Sequence, residues 1–278
     1  MAALQERIGI IAGAGQFPEL VAQGAREEGL SVVMCGFVGH TDPAIESKAD
    51  VFEMLHLGAL SKLIQFFKNN GVNRVCFAGA INKPKALDIR PDFRAAKVLF
   101  KIRSKGDDVL LRGVLDELES DGLHIVQAAE LVPNLRGPVG VLTKKKLTEK
   151  QRETLAYGIP IGEQIGSMDI GQCIVVREHM VVAVECLEGT DATIKRGAAL
   201  GGQGCVAIKL LKPNQDERID LPALGLNTIQ NLVDGGYSCL AYYAGKTLFF
   251  DREAAIALAN EHNIAIVGLD EEFKNTLL

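Results

Sequence analysis

The stretch from Arg7 to Phe37 does most to limit what this chain can fold into. Arg7–Ala12 (RIGIIA) is a short apolar run that reads as a strand. Gly13-Ala14-Gly15 follows, and then a helix over Gln16–Glu28, with Phe17, Leu20, Val21 and Ala25 as its apolar stripe and Pro18 in its first turn. Ser31–Phe37 (SVVMCGF) is again strand-like. Strand, glycine turn, helix, strand is a βαβ unit, and such crossovers are almost always right-handed. It commits this part of the chain to a parallel sheet covered by helices.

Two glycines after a strand let a ligand approach backbone amides at a helix N-terminus, where phosphate is favoured. Gly13, Ala14 and Gly15 are therefore candidate ligand contacts. The dinucleotide fingerprint needs a third glycine where Pro18 stands and an acid closing the second strand, where Gly36-Phe37 stands. The turn reads either as facing a ligand other than a nicotinamide dinucleotide or as a plain tight turn. A helix over Leu60–Asn70 and a strand over Arg74–Ala78 lead to a second glycine-bearing strand end, where Gly79, Asn82 and Lys83 are candidates for the same crevice and a surface loop is the alternative. Phe93–Ser104 is a basic amphipathic helix. It suits an anionic membrane surface, although a core helix with a solvated face is the commoner case. Asp107 is placed to cap the next helix, Val109–Glu119, and His124–Val126 is a further strand.

Composition removes several function classes. Net charge is −5 and Trp is absent, which argues against nucleic acid as a partner. The six cysteines show no CxxC or Cys/His ligand spacing and read as buried, reduced thiols of a cytoplasmic protein. The first residues lack the apolar core of a signal peptide, and no run reaches the ~18 apolar residues of a spanning helix. A cytoplasmic location follows as an expectation, with peripheral contact at the inner membrane kept as an option.

Pro133–Pro138 breaks every regular pattern, so the expected layout is an N-terminal α/β domain over 1–135 and a second over 139–278. The second domain should hold a helix (Thr148–Glu163), a hairpin of Gln172–Arg177 with Met180–Cys186, and a helix capped by Thr190 or Asp191. A strand over Val206–Leu211 and a helix from Asn227 to Gly235-Gly236 should follow. Strand Tyr237–Tyr243 with a hairpin return at Thr247–Phe250, helix Arg252–Glu261 and strand Ile264–Val267 complete the pattern. Between Glu185 and Pro222 the chain crowds Glu188, Asp191, Asp216, Glu217 and Asp220 close to Lys195, Arg196, Lys209, Lys212 and Arg218, just after apolar strands. Carboxylates that hold a hard cation or a water, beside bases that neutralise phosphate, are what metal-assisted phosphoryl chemistry requires. A rim of surface salt bridges is the competing account.

These pieces together resemble the UDP-2,3-diacylglucosamine pyrophosphatases of lipid A synthesis, in the class unrelated to calcineurin-like metallophosphoesterases. The resemblance rests on Ile11-Ala12-Gly13-Ala14-Gly15-x-x-Pro18, Gly79 with Lys83-Pro84, Gly106-Asp107-Asp108, Glu188-Gly189-Thr190-Asp191, and Lys212-Pro213-x-x-Asp216-x-x-x-Asp220-Leu221-Pro222, in that order along nearly the whole chain. It implies a Rossmann-like N-terminal domain with a parallel sheet, a distinct C-terminal α/β domain and a homodimer. It also implies Mg²⁺-dependent hydrolysis in which water attacks the α-phosphorus and gives UMP and 2,3-diacylglucosamine 1-phosphate. Asp220 falls on the aspartate that the family needs for turnover. Residue chemistry is compatible: Lys209, Lys212 and Arg196 could neutralise the diphosphate, with Thr190 beside them. Asp220, Asp191, Asp216 and Glu188 are the metal candidates. A non-catalytic nucleotide- or lipid-binding module and a nicotinamide-dependent oxidoreductase are the competing classes.

Overall fold

A computed structural model describes residues 5–81, 90–101, 107–213 and 215–277. The chain divides into two compact units, Met1–Pro133 and Asn134–Leu278. In the first, β1 (Arg7–Ala12), α1 (Phe17–Glu27) and β2 (Ser31–Phe37) form the βαβ unit. A 3₁₀ turn (Pro43–Lys48) and β3 (Val51–Leu55) come next, two elements that the periodicity did not disclose. Then follow α2 (Leu60–Asn69), β4 (Arg74–Ala78), α3 (Phe93–Lys101), α4 (Asp107–Ser120) and β5 (His124–Ile125).

The sheet order is β3-β2-β1-β4-β5, with every pairing parallel. Chain direction across the sheet therefore reverses between β1 and β4, the place where open parallel sheets usually receive ligands. Buried on both faces, β1 and β2 read as continuous apolar runs. Val21, Ala22 and Ala25 of α1 pack with Ile8, Ile10, Val32 and Met34 in one core cluster.

The second unit opens with a short 3₁₀ turn and β6 (Gly140–Val141), then α5 (Glu149–Ser167). Thr148 and Gln151 close a capping box at the start of α5. β7 (Cys173–Arg177) and β8 (Met180–Val184) are the expected antiparallel hairpin. α6 (Thr190–Gly201), β9 (Val206–Lys209), β10 (Ala223–Leu224), α7 (Leu226–Asp234), β11 (Cys239–Tyr243), β12 (Leu248–Phe249), α8 (Arg252–Glu261), β13 (Ala265–Leu269) and α9 (Glu271–Asn275) complete it. The main sheet runs β6-β13-β11-β9-β7-β8. Leu155 and Ile159 of α5 cover one face with Val206 and Ile208, while Ile194 of α6 and Ile229 and Leu232 of α7 cover the other with Ala207 and Leu240.

Two expectations fail here for identifiable reasons. Thr247–Phe250 is not a hairpin return: β12 pairs in parallel with β10 in a separate two-stranded sheet, and both long edges of β11 are already taken by β9 and β13. Neither Thr190 nor Asp191 caps α6. The cap position is Gly189 at φ 80°, with no side-chain cap, and the Thr190 hydroxyl is turned to another partner. Five cysteines are buried and Cys186 is exposed, and all six are unpaired.

Candidate active site

Strand alternation decides which side chains meet at one end of the second unit's main sheet. Along β9, Val206 and Ile208 face α5 while Ala207 faces α6 and α7. The next residue on the α6–α7 side is Lys209, at the strand's carboxyl end. Its side chain is only 6% exposed, and its Nζ donates to the Ala223 carbonyl at 2.8 Å. Beyond the end of β8, Glu185 is also 6% exposed. Both of its carboxylate oxygens accept from the Thr190 hydroxyl at 3.1 Å. Burial pushes the Glu185 carboxyl above its ordinary range, against the pull of the Lys209 charge and the Thr190 hydrogen bond. A buried cation and a buried carboxylate thus occupy one end of the sheet, beside the first turn of α6. Such groups are costly to keep unless their desolvation serves a purpose.

Glu188, Gly189, Thr190, Asp191 and Lys209 line a cavity of about 360 Å³ with Ala223, Asn227 and Thr228. Asn227, from the first turn of α7, donates to Asp191 Oδ2 at 2.9 Å. Arg196 donates to Glu188 Oε1 at 2.6 Å and to the Val184 carbonyl at 2.8 Å, and Thr193 donates to the same Glu188 oxygen at 3.3 Å. The N-terminal turn of α6 adds backbone N–H groups and a favourable dipole for an anion.

The other candidates in this unit lie outside that lining. Asp216 is held by Arg218, whose Nη2 reaches Oδ2 at 2.7 Å. Lys212 pairs with Asp169 at 2.6 Å. Asp220 is exposed and accepts a hydrogen bond from Gln215 Nε2. It stands two residues before Pro222, whose neighbour Ala223 supplies the carbonyl that Lys209 bonds. Several charges of the Glu185–Pro222 stretch are therefore engaged with one another, as a salt-bridge rim would be, while Lys209, Glu188 and Asp191 share a cavity.

The glycine turns of the first unit behave differently. Gly13 N donates to the Ala78 carbonyl at 2.7 Å, and Ala14 and Ala80 exchange both backbone bonds at 2.7 and 3.2 Å. A Cβ on Gly13 would come within 2.5 Å of the Ala80 oxygen, and one on Gly79 within 2.5 Å of the Ala14 oxygen. Gly13 and Gly79 are needed for this close backbone approach. The amides of Gly13 and Ala14 are already engaged, while at Gly15 an added Cβ would meet nothing within 4 Å, which makes Gly15 the roomy point of the turn. Asn82 and Lys83 lie outside the described residues.

Similarity to known proteins decides the family. The LpxI N-terminal domain model matches residues 7–135, and the LpxI C-terminal domain model matches residues 138–267. The UDP-2,3-diacylglucosamine pyrophosphatase LpxI of Caulobacter vibrioides is 34% identical over 279 residues, spanning 96% of this chain and 98% of the relative. The chain belongs to the LpxI family. A phosphoribosylglycinamide synthetase from Anaerococcus prevotii aligns with 66% of this chain and 40% of its own at 12% identity, with a TM-score of 0.25.

Within this LpxI-family chain, sequence reasoning passed over Glu185, Asn227 and Asp169. Only Glu185 left a signal, as an acid directly after the apolar run Met180–Val184. Asn227 and Asp169 reach their partners across 36 and 43 residues, and no local pattern announces such pairings. Buried thiols are poor candidates for nucleophiles. Burial pushes Cys173, beside this site, up to about 12, with the Glu185 charge adding to the rise. Among the described residues no three His, Cys, Asp or Glu side chains converge as a metal cage. No helix of the described residues is long and apolar enough to cross a membrane.

Proposed function

We propose that this protein hydrolyses the pyrophosphate bond of UDP-2,3-diacylglucosamine, releasing UMP and 2,3-diacylglucosamine 1-phosphate. The observation that carries this is the 34% identity, spanning nearly all of both chains, with a relative named for that activity. The cavity around Lys209 suits the chemistry. A largely buried ammonium neutralises diphosphate charge far more effectively than an exposed one, and the first turn of α6 adds hydrogen-bond donors for phosphate oxygens.

In this reading Asp220 is the catalytic residue, orienting a water for attack on the α-phosphorus and taking up its proton. The new bond joins the water oxygen to that phosphorus, and the bond to the bridging oxygen breaks. The bridging oxygen leaves with the lipid 1-phosphate, its charge met by Lys209, Lys212 and Arg196. Thr190 binds substrate from the first turn of α6, while Gly13, Ala14, Gly15 and Gly79 belong to the nucleotide or sugar side, to which the resemblance also assigns Asn82 and Lys83.

Magnesium fits this donor set as a cation held largely by the substrate. Mg²⁺ takes hard oxygen ligands and commonly needs only one or two carboxylates besides phosphate oxygens and water. Asp191 meets that need best, because it borders the cavity and its Oδ2 is bound by a neutral amide, whereas Glu188 and Asp216 are tied to guanidinium groups. When bound, the ion would withdraw charge from the diphosphate. A homodimer working at the cytoplasmic face of the inner membrane completes the reading, since a diacylated substrate resides in a bilayer.

The test is phosphorus NMR of UDP-2,3-diacylglucosamine incubated with the protein and Mg²⁺ in ¹⁸O-water. Labelled UMP is the expected result. Label in the lipid 1-phosphate would move the attack to the other phosphorus, and absence of hydrolysis with substrate bound would leave a binding module. Asp220→Asn should abolish turnover and spare substrate binding; an equal loss of both would remove Asp220 from catalysis.

A further inference from the structure

α3 buries Ala95 and Val98, yet Phe93 is 91% exposed and Phe100 is 72% exposed. Phe93, Ala96, Lys97 and Phe100 follow the i, i+3, i+4, i+7 spacing of a single helical face, so the two rings lie about 10 Å apart along it. The opposite side is fastened to the unit by polar contacts. Asp92 accepts from the Ala95 amide at 2.9 Å and the Ser61 amide at 2.6 Å, and Arg94 bridges Glu117 and Asp121 on and just beyond α4. A helix held so firmly on one side and this apolar on the other is presenting the free side to something.

Charge says to what. Between Arg90 and Lys101 the sequence holds four lysines and arginines against one aspartate, a net +3 in a chain whose total is −5. A second copy docking by the same face would bring two such segments together, and like charges oppose that. Exposed aromatic rings among basic residues match an anionic bilayer, which takes the rings between its headgroups and attracts the lysines. We propose that the outer face of α3, centred on Phe93, Lys97 and Phe100, docks this protein on an anionic membrane. The role of that contact, delivery of a membrane-resident lipid to a soluble site, rests on the function proposed above; the contact itself does not.

Sedimentation of the full chain with vesicles tests it, without substrate. Vesicles of phosphatidylglycerol and phosphatidylcholine should carry the protein down, vesicles of phosphatidylcholine alone should not, and about 0.5 M salt should release much of the bound protein. Phe93→Ser with Phe100→Ser should weaken binding by on the order of 100-fold. The double variant should still hydrolyse detergent-dispersed UDP-2,3-diacylglucosamine at the wild-type rate, which also reports that it folds. Equal binding by wild type and variant, no binding of wild type to anionic vesicles, or self-association abolished by the double substitution would each overturn the proposal. If vesicle binding behaves as expected while neither form hydrolyses the substrate, the docking face stands and the proposed function fails.

Discussion

The two units finish their central parallel strands in opposite ways. In the first, β1 and β4 end in glycines whose backbones are laced together, Gly13 to Ala78 and Ala14 to Ala80. In the second, the central strand β9 ends in Lys209, and the edge strand β8, which runs the same way, is followed by Glu185, both buried ionisable groups. A glycine strand end consumes its amides on the fold and offers shape. A charged strand end is expensive to bury and offers reactivity. On the function proposed above, this contrast assigns the chemistry to the second unit and a binding role to the first, although the glycine turn is the more familiar motif.

Lys209→Met should sharpen that contrast most. Loss of one preorganised cation at a phosphoryl site should lower kcat by on the order of 10²–10³-fold, read as UMP release at saturating substrate. A fall of less than about tenfold would take Lys209 out of the reaction. Gly13→Ala should act on the other side of the comparison. The added methyl meets the Ala80 carbonyl at 2.5 Å, so unfolding should become easier by about 1–3 kcal/mol in urea titration while kcat per folded molecule stays near wild type. A large kcat effect without destabilisation would break the division of labour between the two strand ends.

Thr190→Val keeps the shape of α6 but removes the hydroxyl that serves both Glu185 oxygens. Leaving that carboxylate without its hydroxyl partner should cost about 1–3 kcal/mol in the same titration, with Thr190→Ser restoring most of it. The smallest effect concerns pH. Glu185 holds its proton more tightly in the folded chain than in the unfolded one, so its contribution to stability is full below the ordinary carboxylate range and is lost as pH rises through the raised value. Glu185→Gln should remove that decline, and its melting temperature should gain on wild type as pH increases. Glu163 supplies the opposite sign. Burial would raise it, but Lys274 and Tyr243 outweigh burial and hold it low. Its contribution is therefore present above the ordinary carboxylate range and lost as pH falls through the lowered value, and Glu163→Gln should lose stability relative to wild type towards neutral pH.

Local periodicity was sufficient where one element's own residues set its state. The βαβ unit, α8 over Arg252–Glu261 and the β7–β8 hairpin were all legible because apolar spacing of 3.6 or 2 residues reflects burial against a neighbour, whichever neighbour it is. β12 and the α6 cap were not. A strand of two residues carries no period, and whether it returns to β11 or joins β10 depends on which edges other strands have already filled. Gly189 begins α6 because the Thr190 hydroxyl is drawn to Glu185, a preference that exists only once β8 and α6 are packed together.

The candidate site divides in the same way. The sequence by itself determined which ionisable groups crowd between Glu185 and Pro222, and the order of motifs was enough to suggest the family. Only the tertiary structure decided which of those charges are paired with each other and which face a cavity. Asp216 with Arg218 and Lys212 with Asp169 are pairs; Lys209 and Asp191 line the cavity. The physical reason is that a charge's environment depends on groups well separated from it in the chain, 14 residues from Lys209 to Ala223, 36 from Asp191 to Asn227 and 43 from Asp169 to Lys212. Ala223 and Asn227 set the surroundings of Lys209 and Asp191 through contacts that no periodic pattern announces.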